Sequence, residues 1–492
     1  MFRRFLLIAA APMALVSCTT GGMTGAAPVS AGEAAPISAK ERQQGEQADP
    51  DIRAEFGGEY NGSQADYATR VGQRIAVQSG LSAEPDAFDV TLLNSPVNNA
   101  FAIPGGYVYV TRQLMALMND EAELAAVLGH EVGHVAARHS KKRQSTAQRN
   151  AILNVLGQVL ISQVAGGSQI GQILSQGVGT GTQLLTLGYS RSQETQSDDL
   201  AIEYLVDAGY DPKALSSMLA SLAAQNRLDQ QISGNTRSIP EWSSTHPDPD
   251  KRVARALTRA TETSAVGERN RAAFLAAIDG MMYGDDPKQG VIEGRNFLHP
   301  DLRIAFTIPQ GFAMQNGTSA VSIQGSNAKA QFGTAAYNGN LETYVGNVLK
   351  SLAGDGSSLP ASTIRRTTVN GIPTAYTQLT VNNGQSNVDL TVYAYATASN
   401  KAFHFITLTP AGQGLGAMDS MVASFRSLSS SEAAAIKPKF VRVVTIKAGD
   451  SMSSLSGSMA FEDHQLERFM VLNALSSDTV LRTGDKVKII TY

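Results

Sequence analysis

The stretch LGHEVGHVAARHS, residues 128 to 140, constrains this chain more than any other. It belongs to a segment, residues 121 to 138, that lacks proline and is rich in Ala, Leu and Val. Asp120 and Glu121 stand near its start and Arg138 near its end. Those charges suit a helix dipole, so the segment is predicted to form one helix. At about 100° per residue, His134 lies about 40° around the axis from His130 and one turn along, so both imidazoles reach one point in space. This is the H-E-x-x-H arrangement, in which two histidines hold a metal and Glu131 stands beside the open position as a general base. His139 falls about 180° around from His130. A straight helix aims it away, and it is expected at the surface. A third histidine ligand from this helix would need Gly and His where Ala137 and Ser140 stand. One ligand is missing.

A carboxylate from a second helix is the natural replacement. Residues 189 to 212, YSRSQETQSDDLAIEYLVDAGYDP, supply candidates, with Ser190 or Ser192 as cap and Gly209 with Pro212 to end the segment. Asp198, Ala201, Ile202 and Leu205 all fall within about 80° of Glu194 around the axis, while Asp199 and Glu203 point elsewhere. Buried carboxylates need a cation. Glu194 is expected as the third ligand, and Asp198, one turn on, as the group that orients a ligand histidine.

At 492 residues the chain exceeds one core, and roughly two to four domains are expected. A net charge of −3 argues against nucleic acid as a partner. The start, MFRRFLLIAAAPMALVSC, pairs Arg3 and Arg4 with an apolar run from Phe5 to Val16, too short to span a membrane, and reads as a secretory signal. The single cysteine, Cys18, follows LVS directly. That resembles a bacterial lipoprotein signal, which implies a lipid on Cys18; Thr19 after it favours the outer membrane. Residues 19 to 39, rich in Gly, Ala, Thr, Ser and Pro, read as a flexible tether. Residues 150 to 190 carry no charge, yet Gln, Ser and Gly interrupt every apolar run, so they are expected to pack over the site rather than cross a membrane. Within them GVGTGT has no lysine and no preceding strand, and is no phosphate loop.

Four separated motifs, NNAFAIPGGYVYVT, HEVGH, SRSQETQSD and THPDPDKR, occur in order over residues 45 to 262. Together they resemble the HtpX and CAAX-prenyl-protease family of gluzincin metallopeptidases, and most closely its bacterial lipoprotein (BepA-like) and Oma-like branch. The resemblance implies one Zn2+ per chain held by His130, His134 and Glu194, with Ser197 where the family commonly has Ala. It also places His246 beside the metal, either as an oxyanion donor or as an inhibitory fourth ligand. Arg252, six residues on, and Asn99 in the first motif are implied as groups positioning ligands or substrate. Residues 105 to 111, GGYVYVT, alternate after a Pro-Gly-Gly turn and read as a strand. An edge strand is expected to bind polypeptide substrates by strand addition. No 34-residue repeat follows, so functions of a tetratricopeptide domain do not transfer.

From 295 to 430 short alternating runs with Asn370-Gly371 and Asn383-Gly384 turns suggest an antiparallel sheet with helices, near 341–352 and 418–428, on one face. His299 and His404 there lack metal-like spacing. The tail, residues 443 to 490, resembles a LysM module, which implies a βααβ unit and a contact with peptidoglycan through residues 440–492. The expected fold class is α+β: a mainly helical zincin-like protease domain with a small sheet, then an antiparallel α+β domain and the LysM-like module. The expected divisions are a signal peptide (1–17), a tether (18–44), a zinc metallopeptidase domain (45–285), an accessory domain (295–430) and the tail module (440–492). The function expected is an envelope endopeptidase facing the periplasm that degrades misfolded or unassembled proteins. The alternative is a non-catalytic assembly factor or chaperone with a structural zinc site.

Overall fold

The computed structural model describes residues 32, 34–139, 188–233, 242, 246, 249–317, 320–353, 362–382 and 386–492. Cys18 with the signal, most of the tether, the uncharged segment up to residue 187 with its GVGTGT, and the second Asn-Gly turn lie outside these residues. Among the described residues no helix is long and apolar enough to cross a membrane.

The first helix, α1 (Ala39–Glu55), starts inside the expected tether. Ser38 explains this, because its hydroxyl accepts from Glu41 N at 3.2 Å while the Glu41 carboxylate accepts from Ser38 N at 2.9 Å. After α2 (Ser63–Ala76) come three strands, β1 (Asp89–Leu93), β2 (Ala100–Ile103) and β3 (Tyr107–Thr111). Their order is β1-β3-β2, with β1 parallel and β2 antiparallel to β3. The alternating strand at 107–111 is therefore central and cannot take up a peptide. Its parallel partner, β1, arrives from upstream, and the edge strand on its other side, beside α4, is β2. The β2–β3 turn needs glycine: Gly106 has φ +91°, and a Cβ there would lie 2.4 Å from Ala87 O.

Helix α3 (Arg112–Leu117) leads to α4 (Glu121–Ala136), capped by Asp120, which accepts from Glu123 N at 3.0 Å. Helix α5 (Arg191–Asp207) carries a capping box from Ser190 and Gln193. It packs closely on α4 because Gly133 faces Ser197, where a Cβ would lie 3.0 Å from Ser197 Oγ. The Ser197 hydroxyl donates to His130 O at 2.9 Å, so the serine is satisfied in a buried seam. Helices α6 (Ala214–Ser233), α7 (Pro249–Glu262) and α8 (Arg271–Ile278) complete the layer, followed by β4 (Met282–Tyr283).

The 291–427 region holds an antiparallel seven-stranded sheet and a four-stranded sheet. Asn370 and Gly371, at φ +48° and +79°, close a two-residue hairpin as expected. The two helices do not share a face. Leu341–Ala353 packs on Leu390, Val392 and Ala394, whereas Met421, Val422 and Phe425 of the second helical stretch pack with Tyr393 and Tyr395. Alternate residues of one strand point to opposite faces, so both sides of the sheet are covered.

The last segment runs β5 (Lys439–Thr445), α9 (Met452–Ser456), α10 (Gln465–Leu472), β6 (Lys486–Thr491), the βααβ order expected. It does not stand apart. Strand β5 pairs with β4, and Val441, Phe469, Leu472, Val487 and Ile490 join the same core as α4 and α5. Lys488 is fully buried and donates to the carbonyls of Ala116 at 2.8 Å, Leu117 at 3.3 Å, and Met118, the groups that α3 leaves unpaired at its end. Burial pushes its pKa down to about 7. The region between residues 285 and 438 is thus inserted into a unit that the C-terminal segment completes.

Candidate metal centre

Helix α4 delivers His130 and His134 to one point, as their spacing requires: their Nε2 atoms lie 3.0 Å apart. Helix α5 brings Glu194, whose Oε1 is 3.4 Å from His134 Nε2 and whose Oε2 is 3.7 Å from His130 Nε2. His246 adds a fourth donor, with Nδ1 3.0 Å from Glu194 Oε1 and 3.2 Å from His130 Nε2. All four side chains are buried, and their donor atoms lie within 4.8 Å of one another. A tetrahedral metal with bonds of about 2.0 Å separates its donors by about 3.3 Å, which this set matches.

The surrounding groups suit a cation as well. Asp198 Oδ1 sits 3.0 Å from His130 Nδ1, which holds that nitrogen's proton and leaves Nε2 as a lone pair turned inward. Glu131, Glu194 and Asp198 are 1 %, 2 % and 1 % exposed, and Arg252 is the guanidinium between them, 2.6 Å from Glu194 Oε2 and 2.6 Å from Asp198 Oδ1. Three carboxyl groups against one guanidinium leave two formal negative charges, which a divalent ion balances. Burial would raise the Asp198 carboxyl, but Arg252 and the bond from His130 hold it below its ordinary value. Glu194 is likewise pushed up by burial and pulled further down by His246 and His134, to well below the carboxylate range. For His134, burial dominates and lowers the imidazole well below its usual value, the neutral state a ligand needs.

Glu131 lies beside this cluster, its Oε1 3.5 Å from His246 Nε2. Trp242, the only tryptophan of the chain, donates from Nε1 to the same oxygen at 2.8 Å. Its ring stacks on His246 at 4.5 Å, and its backbone N donates to Asn98 O, two residues before β2, 2.9 Å away. No local pattern marks Trp242. The available signal is its position four residues before His246, whose backbone N donates to Trp242 O at 2.9 Å. Tyr189, stacked on His134 at 3.6 Å, was equally unmarked. Asn99 is buried but outside the cluster; its backbone pairs with Thr111 where β2 begins.

His139 is not at the surface. Helix α4 ends at Ala136, and Arg138 takes φ +50°, which turns the chain back. His139 is fully buried, with Nδ1 2.8 Å from His134 Nδ1 and Nε2 3.1 Å from Gln196 Oε1. The helical angle failed because it assumed three more helical residues than exist. His139 is nonetheless no member of the four-donor cluster.

Residues 63–260, which span this whole arrangement, match the family described as Peptidase family M48. They are similar to an M48 peptidase domain. Within curated proteins, a beta-barrel assembly-enhancing protease of Yersinia pestis is 31% identical over 242 residues, 48% of this chain and 46% of that protein. The mitochondrial metalloendopeptidase OMA1 of Schizosaccharomyces pombe is 29% identical, over 38% of this chain and 50% of that protein. The metalloprotease LoiP of Escherichia coli is 31% identical, over 30% of this chain and 56% of that protein. This chain spans about half the length of the relatives it matches.

Proposed function

We propose that the chain is a zinc-dependent endopeptidase of the bacterial cell envelope, and that it degrades misfolded or unassembled envelope proteins. The observation that carries this reading is the convergence of His130, His134 and Glu194 with the Glu131 carboxylate alongside. Zinc held by those three residues would polarise a scissile carbonyl and acidify a water. Glu131 takes the proton of the attacking water and hands it to the leaving amine. Asp198 and Arg252 orient His130 and Glu194 through the contacts above. The substrate lies as an extended strand along β2, the free edge nearest α4, past Asn99. The envelope location rests on the signal-like start and on relatives whose names include beta-barrel assembly.

The competing reading is a non-catalytic assembly factor with a closed structural site, and His246 favours it, since its Nδ1 completes a four-donor set. We resolve the two as latency: His246 occupies the fourth position and Trp242 holds the general base, and both must withdraw for cleavage. His246→Ala should then raise cleavage of a short peptide several-fold over wild type at fixed zinc occupancy, while losing an oxyanion donor that long substrates use. The check is the mutant-to-wild-type rate ratio on a short peptide and on an unfolded protein. A ratio well below one for both would sink latency and leave only the donor role, worth about 3 kcal/mol.

Two attachments complete the proposal, a lipid on Cys18 and a peptidoglycan contact through residues 440–492. Cys18→Ser should be exported yet lose fatty-acid labelling and move to the soluble periplasmic fraction, with co-sedimentation on purified peptidoglycan reading the second contact. Unchanged labelling in that variant would refute the anchor.

A further inference from the structure

We infer that His139 and Gln196 form a neutral relay that fixes which nitrogen of His134 is offered to the metal. This rests on the reading of His134 as a ligand. His134 Nε2 faces the donor cluster, 3.0 Å from His130 Nε2 and 3.4 Å from Glu194 Oε1. A neutral imidazole that presents a lone pair at Nε2 carries its proton on Nδ1, and a buried Nδ1–H requires an acceptor. For His130 that acceptor is the Asp198 carboxylate at 3.0 Å. For His134 it is another imidazole, His139 Nδ1 at 2.8 Å. His139 can accept there only if its own proton sits on Nε2, and that nitrogen meets Gln196 Oε1 at 3.1 Å.

The directions are therefore linked. Gln196 Oε1 accepts from His139 Nε2–H, and His139 Nδ1 accepts from His134 Nδ1–H. Turning the Gln196 amide over would place its NH2 against His139 Nε2, move the His139 proton to Nδ1 and oppose two N–H groups. His134 would then have to carry its proton on Nε2 and lose its lone pair toward the cluster.

The backbone shows that this contact is built. Arg138 occupies the left-handed region at φ +50°, a conformation that non-glycine residues seldom adopt. Its guanidinium is pinned by Glu41 at 3.2 Å and by the carbonyls of Ala35 at 3.1 Å and Pro36 at 3.4 Å. Those bonds hold the reversal that carries His139 under His134. The two ligand imidazoles are thus braced unequally, His130 by an anion tied to Arg252 and His134 by a neutral pair. A neutral acceptor orients the ring without raising its basicity as a carboxylate does.

The test reads zinc affinity, by competition with a chromophoric chelator on the full chain, together with thermal unfolding of the chelator-stripped protein. His139→Phe keeps the ring and removes the acceptor, and should weaken zinc binding about 10–100-fold. His139→Asn, whose Oδ1 stands near the place of Nδ1, should recover affinity to within a few-fold. Gln196→Leu should weaken binding and Gln196→Glu strengthen it, giving the order Glu, Gln, Leu whether or not the His139 variants fold. Equal affinity across the Gln196 series, or equal loss in His139→Phe and His139→Asn, overturns the relay. A wild-type chain that holds no zinc would instead overturn the ligand reading itself.

Discussion

Glu131→Gln is expected to keep zinc at one equivalent and the thermal unfolding midpoint near wild type, while peptide cleavage falls by about 100- to 10,000-fold. The substitution is close to isosteric. Gln Oε1 still accepts from Trp242 Nε1, which lies 2.8 Å from the native carboxylate oxygen, so the buried indole N–H keeps its partner. What disappears is the ability to take a proton from water. The stripped protein should, if anything, unfold at a slightly higher temperature, because one of three buried carboxyl groups around a single guanidinium has lost its formal charge. Running the assay in the His246→Ala background as well separates loss of the base from a plugged site. Cleavage within tenfold of the parent in both backgrounds would show that another group serves as base.

The parts of this site that were legible in the sequence are those set by one helix at a time. His130 with His134, and Glu194 with Asp198, are each four residues apart, and both inward stripes hold because Asp120 and Ser190 start their helices where the pattern begins. Their meeting was inferred from chemistry, since two lone histidines and two inward carboxylates each lack a partner. His139 was misread because an end of helix is local and small: one residue, Arg138, in a left-handed conformation redirects His139. Trp242 and Glu131 are 111 residues apart, and no periodicity connects them. The strand at 107–111 read correctly as a strand but not as a central one, because its parallel partner β1 is a non-local pairing. The same holds for Lys488. Nothing in K-V-K-I-I marks it, and the docking of β6 against the end of α3 buries it. Local rules gave elements and faces; the contacts between elements decided which faces met.

Glu194→Ala is expected to abolish zinc retention and with it all cleavage, a larger change than any substitution around the site. The argument is one of donors and charge. Removing the carboxylate takes the only oxygen from a set otherwise made of three imidazoles, and it removes half of the formal negative excess that a divalent ion neutralises. Affinity should drop well beyond the roughly 10- to 100-fold expected for Asp198→Asn, which leaves the donors intact and only loosens His130. The apo fold should survive. Arg252 keeps Asp198 through Nε at 2.9 Å and Nη2 at 2.6 Å, so no buried guanidinium is stranded. Glu194→Asp, with a shorter reach, should bind zinc more weakly than wild type but more tightly than the alanine variant, a graded order that a merely folded-state defect would not produce. The measurement is zinc per chain after dialysis against a mild chelator, alongside unfolding of each stripped variant. One retained equivalent in Glu194→Ala would mean that His246 and the two α4 histidines hold the ion without it, and the site would then be a three-histidine centre.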